Sequence, residues 1–225
     1  MNLRLPTSIQ FSRLNLSLPL FLTPANKYWM GFFLYCITVI LYLTSNHFHL
    51  SSPQLLPLSW VDKVVPFLPN TVWIYLSEYA FFVVVYLSCN DIINLNKYFY
   101  SFLALQLVSV LIFWMLPTTY PRDQFPLTSD LDALTYGVFY LLRKMDTPAN
   151  CCPSLHVSSV YLSTFLFLDE QRKKFLFFFI WGTAISLSTL TTKQHYLVDV
   201  FSGFFMAAAI YWLFHKYITY VKGTA

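Results

Sequence analysis

Three side chains stand where acid–base chemistry needs them. His195 and Asp199 are four residues apart, so on a helix they share one face. A carboxylate at that spacing accepts the imidazole Nδ1–H, fixes the tautomer and leaves Nε2 free as a nucleophile. His156 follows Pro153, Ser154 and Leu155, which read as the start of another helix. Proline is at home in a first helical turn because the N–H it lacks would go unpaired there anyway. The free N–H groups and positive dipole end of such a terminus can hold a phosphate, and Ser154 adds a hydroxyl donor. His156 is then placed to protonate a leaving oxygen. Arg122 and Lys193 can neutralise phosphate oxygens, arginine through its fork and lysine as a point charge. This set suits transfer of a phosphoryl-type group through a covalent phosphohistidine on His195. It needs no cofactor, and the sequence holds no metal-ligand spacing.

The elements that must position these groups are membrane spans. Of the 225 residues, 57% are hydrophobic, 20% aromatic and only 11% charged. A soluble domain has about a quarter of its residues charged, and this chain could not cover its surface with so few. Six apolar segments, at 28–45, 71–89, 98–116, 153–168, 175–192 and 196–214, are each long enough for a helix to cross a ~30 Å hydrocarbon core. The expected fold is therefore all-α and integral to the membrane, with six transmembrane helices. Residues 1–27 read as a cytoplasmic lead-in, 28–215 as one membrane domain and 216–225 as a short cytoplasmic tail. Two connections are long and proline-rich, 46–70 and 117–152. Within the second, Ser129 and Asp132 have capping-box spacing. Leu131, Leu134, Val138, Leu141, Leu142 and Met145 recur at helical period, and Arg143 and Lys144 close the turn as the helix dipole prefers. This predicts an amphipathic helix on the membrane surface between the third and fourth spans.

Charge sets the orientation. With the N-terminus inside, only Lys63, Arg122, Arg143, Lys144 and Lys193 of the 14 Lys and Arg fall outside. The positive-inside rule then puts both termini in the cytoplasm and the 117–152 loop outside. The net charge of +4 is scattered, which argues against nucleic acid as a partner. With six spans, the ends of the third and fifth and the starts of the fourth and sixth all lie on one membrane face. Arg122, His156, Lys193, His195 and Asp199 therefore converge on the outer face by connectivity alone. The four cysteines, Cys36, Cys89, Cys151 and Cys152, read as small packing residues.

Pro153-Ser154-Leu155-His156 and His195-Tyr196-Leu197-Val198-Asp199 resemble motifs of the type 2 phosphatidic acid phosphatase superfamily, which includes vanadium haloperoxidases and bacterial lipid phosphatases. Its three motifs are KxxxxxxRP, PSGH and SRxxxxxHxxxD. The second is matched with Leu155 for glycine. The third is matched at Ser188, His195 and Asp199, with Thr189 for arginine. Of the first only Arg122 fits, followed by Asp123, with Met115 in the lysine position. The resemblance implies His195 as nucleophile, Asp199 as its partner and His156 as acid. Pro-Ser-Leu-His without the arginine is more similar to the inositolphosphotransferase branch, which moves a phospho-headgroup to a lipid alcohol. The implied substrate is a lipid phosphate, and the implied location is a plasma or inner membrane with the site on its extracytoplasmic face.

Other readings stay open at this point. A transporter would use Glu78 and Asp199 as intramembrane charges but leaves Pro-Ser-Leu-His unexplained, and an inactive membrane scaffold would not need the histidines near Arg122. Glu78 falls mid-span, half a bilayer from the proposed site. His47, His49 and His215 read as interfacial anchors, and Gly182 and Gly203 as points of close helix packing. Neither the oligomeric state nor the acceptor, water or alcohol, is written in the sequence.

Overall fold

A computed structural model describes residues 16–128, 131–146, 149–168 and 171–221. The expectations for residues 1–15, including Arg4 and Arg13, for Ser129, and for 222–225 lie outside the described residues.

Eight α-helices carry the described chain: α1 Lys27–His47, α2 Trp60–Val64, α3 Val72–Ser88, α4 Ile92–Met115, α5 Ala133–Met145, α6 Leu155–Phe165, α7 Arg172–Thr191 and α8 Leu197–Tyr217. Two short parallel pairings complete it. β1 Leu16–Pro19 lies beside β4 Ile218–Val221, and β2 Gln54–Leu55 beside β3 Thr118–Thr119. Local chemistry sets the helix starts. Asp91 accepts from the Ile93 N–H at 2.8 Å, Asp132 from Thr135 at 2.9 Å and Ser154 from Val157 at 3.3 Å. Ser59 and Asp62 form a reciprocal capping box on α2.

α1, α4, α7, α8 and the segment Pro69–Ser88 that holds α3 are long and apolar enough to cross a membrane. Their outward faces carry Trp29, Phe32, Val83, Leu111, Ile180, Phe205 and Trp212, all exposed, as a lipid-facing belt would. The chain is thus a helical, membrane-type protein. The expected fourth span at 153–168 is different. Its helix α6 has only 11 residues and packs against α8, α7, α4 and α3. At ~1.5 Å per residue it reaches about half of the hydrocarbon core. All of its residues but His156 are buried because its neighbours are protein, a case hydropathy cannot tell from a lipid-facing span.

The inner surface of α6 is rich in hydroxyls. Ser158, Ser163 and Thr164 bond back to helix carbonyls, while Tyr98 meets Ser163 at 2.9 Å and Gln106 donates to Ser159 at 3.2 Å. Small residues let the neighbours close in. A Cβ on Gly203 would lie 2.6 Å from the Ser154 carbonyl oxygen, and one on Gly182 2.5 Å from Val160 Cγ1.

α4 begins at Ile92, earlier than the apolar run starting at 98 suggests. Asn96 explains why polar residues open this helix. It is buried, its Oδ1 accepts from the Phe21 and Leu22 N–H groups at 2.7 Å each, and its Nδ2 donates to the Leu22 carbonyl at 3.0 Å. The amphipathic helix is present as α5, capped by Asp132, and is pinned to α3 by Trp73 Nε1 donating to Thr135 at 3.1 Å. At this end of the bundle the connections are laced together. Leu68 N–H bonds the Thr191 carbonyl, Cys151 N–H the Thr118 carbonyl, and Gln54 N–H the Pro117 carbonyl.

Candidate active site

α8 brings the first pair together. Asp199 is fully buried in its first turn, and its Oδ2 accepts from the Tyr196 N–H at 2.8 Å. The same oxygen lies 3.3 Å from His195 Nδ1, which also meets the Cys151 carbonyl oxygen at 2.9 Å. Two acceptors on Nδ1 call for the Nδ1–H tautomer, so Nε2 carries the lone pair. Nε2 points at His156 Nδ1, 3.4 Å away. The two helix starts are clamped to each other, with the Ser154 N–H donating to the Asp199 carbonyl at 3.1 Å. Ser154 itself is buried as the cap of α6, its Oγ accepting from Val157.

The far side of His156 rests on α3. His156 Nε2 is 2.6 Å from Tyr75 Oη and 3.6 Å from Glu78 Oε2. The Tyr75 ring lies over the imidazole with centroids 4.7 Å apart. Glu78 therefore sits against the site and not half a bilayer away. α3 starts at Val72, so Glu78 is in its second turn, about 9 Å from the end at ~1.5 Å per residue. Sequence reasoning missed Tyr75 and Glu78 as site residues. Their spacing of three on a helix beside an intramembrane carboxylate was the available signal.

Arg122 is buried, and its guanidinium is held by Asp146. Nη1 donates to the Asp146 carbonyl at 2.6 Å and Nη2 to Oδ2 at 2.8 Å. Tyr42 of α1 donates to the other Asp146 oxygen and presents its ring edge-on to His156 at 6.4 Å. Burial works to raise the Asp146 pKa, but the Arg122 charge and the Tyr42 hydroxyl outweigh it and hold the carboxyl below its ordinary value. The guanidinium pKa is raised; burial opposes this and Asp146 outweighs it. Arg122 Nε is buried with no hydrogen-bond partner among the described residues. Tyr42 and Asp146, neither singled out from sequence, thus join the histidines to Arg122.

Lys193 is placed differently. It takes a left-handed backbone conformation, φ 55°, and its buried ammonium donates to the Asp62 and Val65 carbonyls at 2.8 and 2.6 Å. Burial lowers its pKa and Asp62 opposes the shift. Its contacts tie the α7–α8 turn to α2. Thr189, in the position where the motif has arginine, is fully buried and bonds back to the Ser186 carbonyl at 2.7 Å.

Donor atoms of Cys151, His195 and Asp199 lie within 4.8 Å of one another, as a metal would require. Burial, with Asp199 nearby, pushes the Cys151 thiol pKa well up. The sulfur contacts the Gln194 carbonyl at 3.7 Å as a packing residue.

The centre is thus two imidazoles in line, each backed by a carboxylate, beside a buried arginine. Such an arrangement can present a nucleophilic nitrogen, move a proton across 3.4 Å and balance the charge of an anionic group. Across residues 39–213 the sequence matches the profile of the PAP2 superfamily. No curated protein and no solved structure matches the chain. The profile covers most of the 225 residues and spans every group just described, and the chain belongs to the PAP2 superfamily, which supports a function of the phosphatase or phosphotransferase type.

Proposed function

We propose that the protein is a six-pass membrane enzyme that hydrolyses lipid phosphate monoesters through a covalent phosphohistidine, without a metal. The observation that carries this is the chain of contacts from Asp199 through His195 to His156 and Glu78. His195 Nε2 attacks phosphorus, the P–O bond to the lipid breaks, and the leaving alkoxide takes a proton from His156. Water then attacks the phosphoryl group, gives its proton to His156, and the P–N bond breaks. Asp199 and the Cys151 carbonyl hold the Nδ1–H and stabilise the positive charge that His195 gains. Glu78 Oε2 stands 3.6 Å from His156 Nε2, on the far side of the imidazole that serves as the acid. Arg122, exchanging its Asp146 contact for the substrate, neutralises the phosphate oxygens. Ser154 orients the start of α6, and its hydroxyl proton is free to donate to the same group. In this reading α6 with the turn to Leu168 is the fourth pass, and the site opens to the extracytoplasmic side of a plasma or inner membrane.

A second reading is transfer of a phospho-headgroup to a lipid or inositol-type alcohol. The burial of His195, only 5% exposed, and of Asp199 favours it, because a dry site disfavours water as the acceptor. One experiment separates the two. The purified protein, without divalent metal, is given radiolabelled lipid phosphates with and without lipid alcohols, beside a His195→Ala control. Phosphate release lost in the control supports hydrolysis. Label appearing in the alcohol supports transfer. Neither product from a well-folded protein refutes both.

A further inference from the structure

The last turn of α5 carries a cation that the catalytic arrangement does not use. Arg143 lies between two aromatic rings, its guanidinium 4.8 Å from the Phe139 centroid and 5.4 Å from that of Phe67. Its Nε and Nη2 are closed off from solvent and have no hydrogen-bond partner among the described residues. Burial lowers its pKa to about 10, the nearby Arg122 charge works in the same direction, and Asp123 opposes them. No carboxylate among the described residues comes within ion-pair distance of it. The two rings meet the face of the guanidinium and supply no hydrogen-bond acceptor, which an anion would.

Beside it runs an open groove of ≈ 370 Å³, lined by Leu127, Tyr136, Tyr140, Arg143 and Lys144. Tyr136 and Tyr140 are exposed and their rings are parallel, with centroids 6.4 Å apart and 5° between planes. The lining offers the guanidinium of Arg143, an ammonium and two phenols, and no acid among the described residues. A phosphate fits that donor set. The same helix exposes Leu134, Leu141 and Met145, which belong at the level of lipid acyl chains. Amphipathic tyrosines sit naturally at headgroup depth.

We propose that this groove is a second anion site, which takes the phosphate-bearing headgroup of a membrane lipid. It is distinct from the histidine centre, where Arg122 is engaged by Asp146. Asp146 follows Arg143 by three residues, so the arginine of the groove stands one helical turn from the carboxylate that holds Arg122.

The test is binding, not turnover. Full-length His195→Ala protein in neutral detergent is titrated with a fluorescent short-chain phosphatidic acid, and anisotropy is followed at low and high salt. The histidine centre contributes equally in every variant, so differences report the groove. Arg143→Gln should weaken the salt-sensitive binding about tenfold, the loss of one charge-assisted hydrogen bond, while Arg143→Lys recovers part of it. Lys144→Gln, on an exposed side chain that folding does not need, should weaken it about threefold and leave binding of a phosphatidylcholine analogue unchanged. Unaltered affinity in the Arg143→Gln/Lys144→Gln double variant would overturn the proposal. Displacement of the lipid by equimolar inorganic phosphate would also overturn it, by making the groove a free-phosphate site.

Discussion

The Arg122–Asp146 pair offers a direct measure of how this end of the bundle is held. Both side chains are nearly closed to solvent, at 9% and 8% exposure, and Asp146 also accepts from Tyr42. Asp146→Ala leaves a buried guanidinium without its counter-charge. Breaking a buried pair in this way costs about 3–5 kcal/mol. For a chain of this size each kcal/mol moves the midpoint by roughly 2–4 °C, so Tm should fall by about 6–20 °C. Arg122→Met should cost a similar amount, because it strands the carboxylate. The Arg122→Met/Asp146→Leu double variant strands neither charge and should fall well short of the sum. The pH dependence has a definite sign. The folded-state pKa of Asp146 lies below its ordinary value, held there by Arg122 and Tyr42 against the effect of burial. Its stabilisation is then complete above the unfolded carboxylate value of about 3.9 and is lost as pH falls through the lower folded value. The Tm gap between the wild type and Asp146→Ala should stay constant from pH 8 to 5 and close only below about pH 4. Thermal unfolding in detergent, followed by tryptophan fluorescence, measures this. Additive single losses of under about 1 kcal/mol each would refute the coupling and, with it, the view that Asp146 holds Arg122 in place.

Four further outcomes follow from the same geometry. Asp199→Asn should lower kcat about 10²–10⁴-fold with KM little changed, because Nδ1 loses its charged partner; an unchanged kcat would remove Asp199 from the relay. Glu78→Gln should lower kcat about tenfold or more and shift the acid-side limb of the kcat profile, while a purely packing role would change Tm and leave the profile in place. Lys193→Met should lower Tm by freeing the α2 segment and leave KM for the lipid phosphate near the wild type; a KM rise with unchanged Tm would instead assign the lysine to substrate. Gly203→Ala pushes a methyl to 2.6 Å from the Ser154 carbonyl, and overpacking of that kind costs about 1–3 kcal/mol, read as a Tm drop with loss of activity from a displaced His156.

Much of the centre was legible because it is written in local spacing. The i, i+4 step puts His195 and Asp199 on one face, and the Pro-Ser-Leu-His run starts a helix with its cap and histidine already placed. Alternation of spans then brings the two helix starts to one end without knowledge of any distance. What spacing does not carry is depth and tertiary exchange. Lys193 lies two residues from His195, and its charge made it a natural phosphate contact. Its left-handed backbone instead turns the side chain toward the carbonyls of α2, more than a hundred residues earlier in the chain. Asp146 and Tyr42 meet across a similar separation, which no local pattern announces.

Hydropathy is incomplete for a related reason at α6 and α3. It measures how apolar a segment is and not which neighbours cover it. α6 reads as a span because it is apolar, yet all of its helical residues except His156 are buried against protein. α3 reads as a uniform span with one stray carboxylate at its middle. The helix in fact begins at Val72 and stands with its first turns beside His156, so the carboxylate falls at the depth of the chemistry. A buried Glu with no partner in lipid is costly, and the imidazole 3.6 Å away is the group placed to offset that cost. The same argument applies to Asp199, whose Oδ2 is met by His195 and the Tyr196 N–H. Each intramembrane carboxylate therefore has a histidine to itself. In the proposed mechanism that pairing makes the two acids part of one proton path, in which disabling either should alter the titration of the other's histidine.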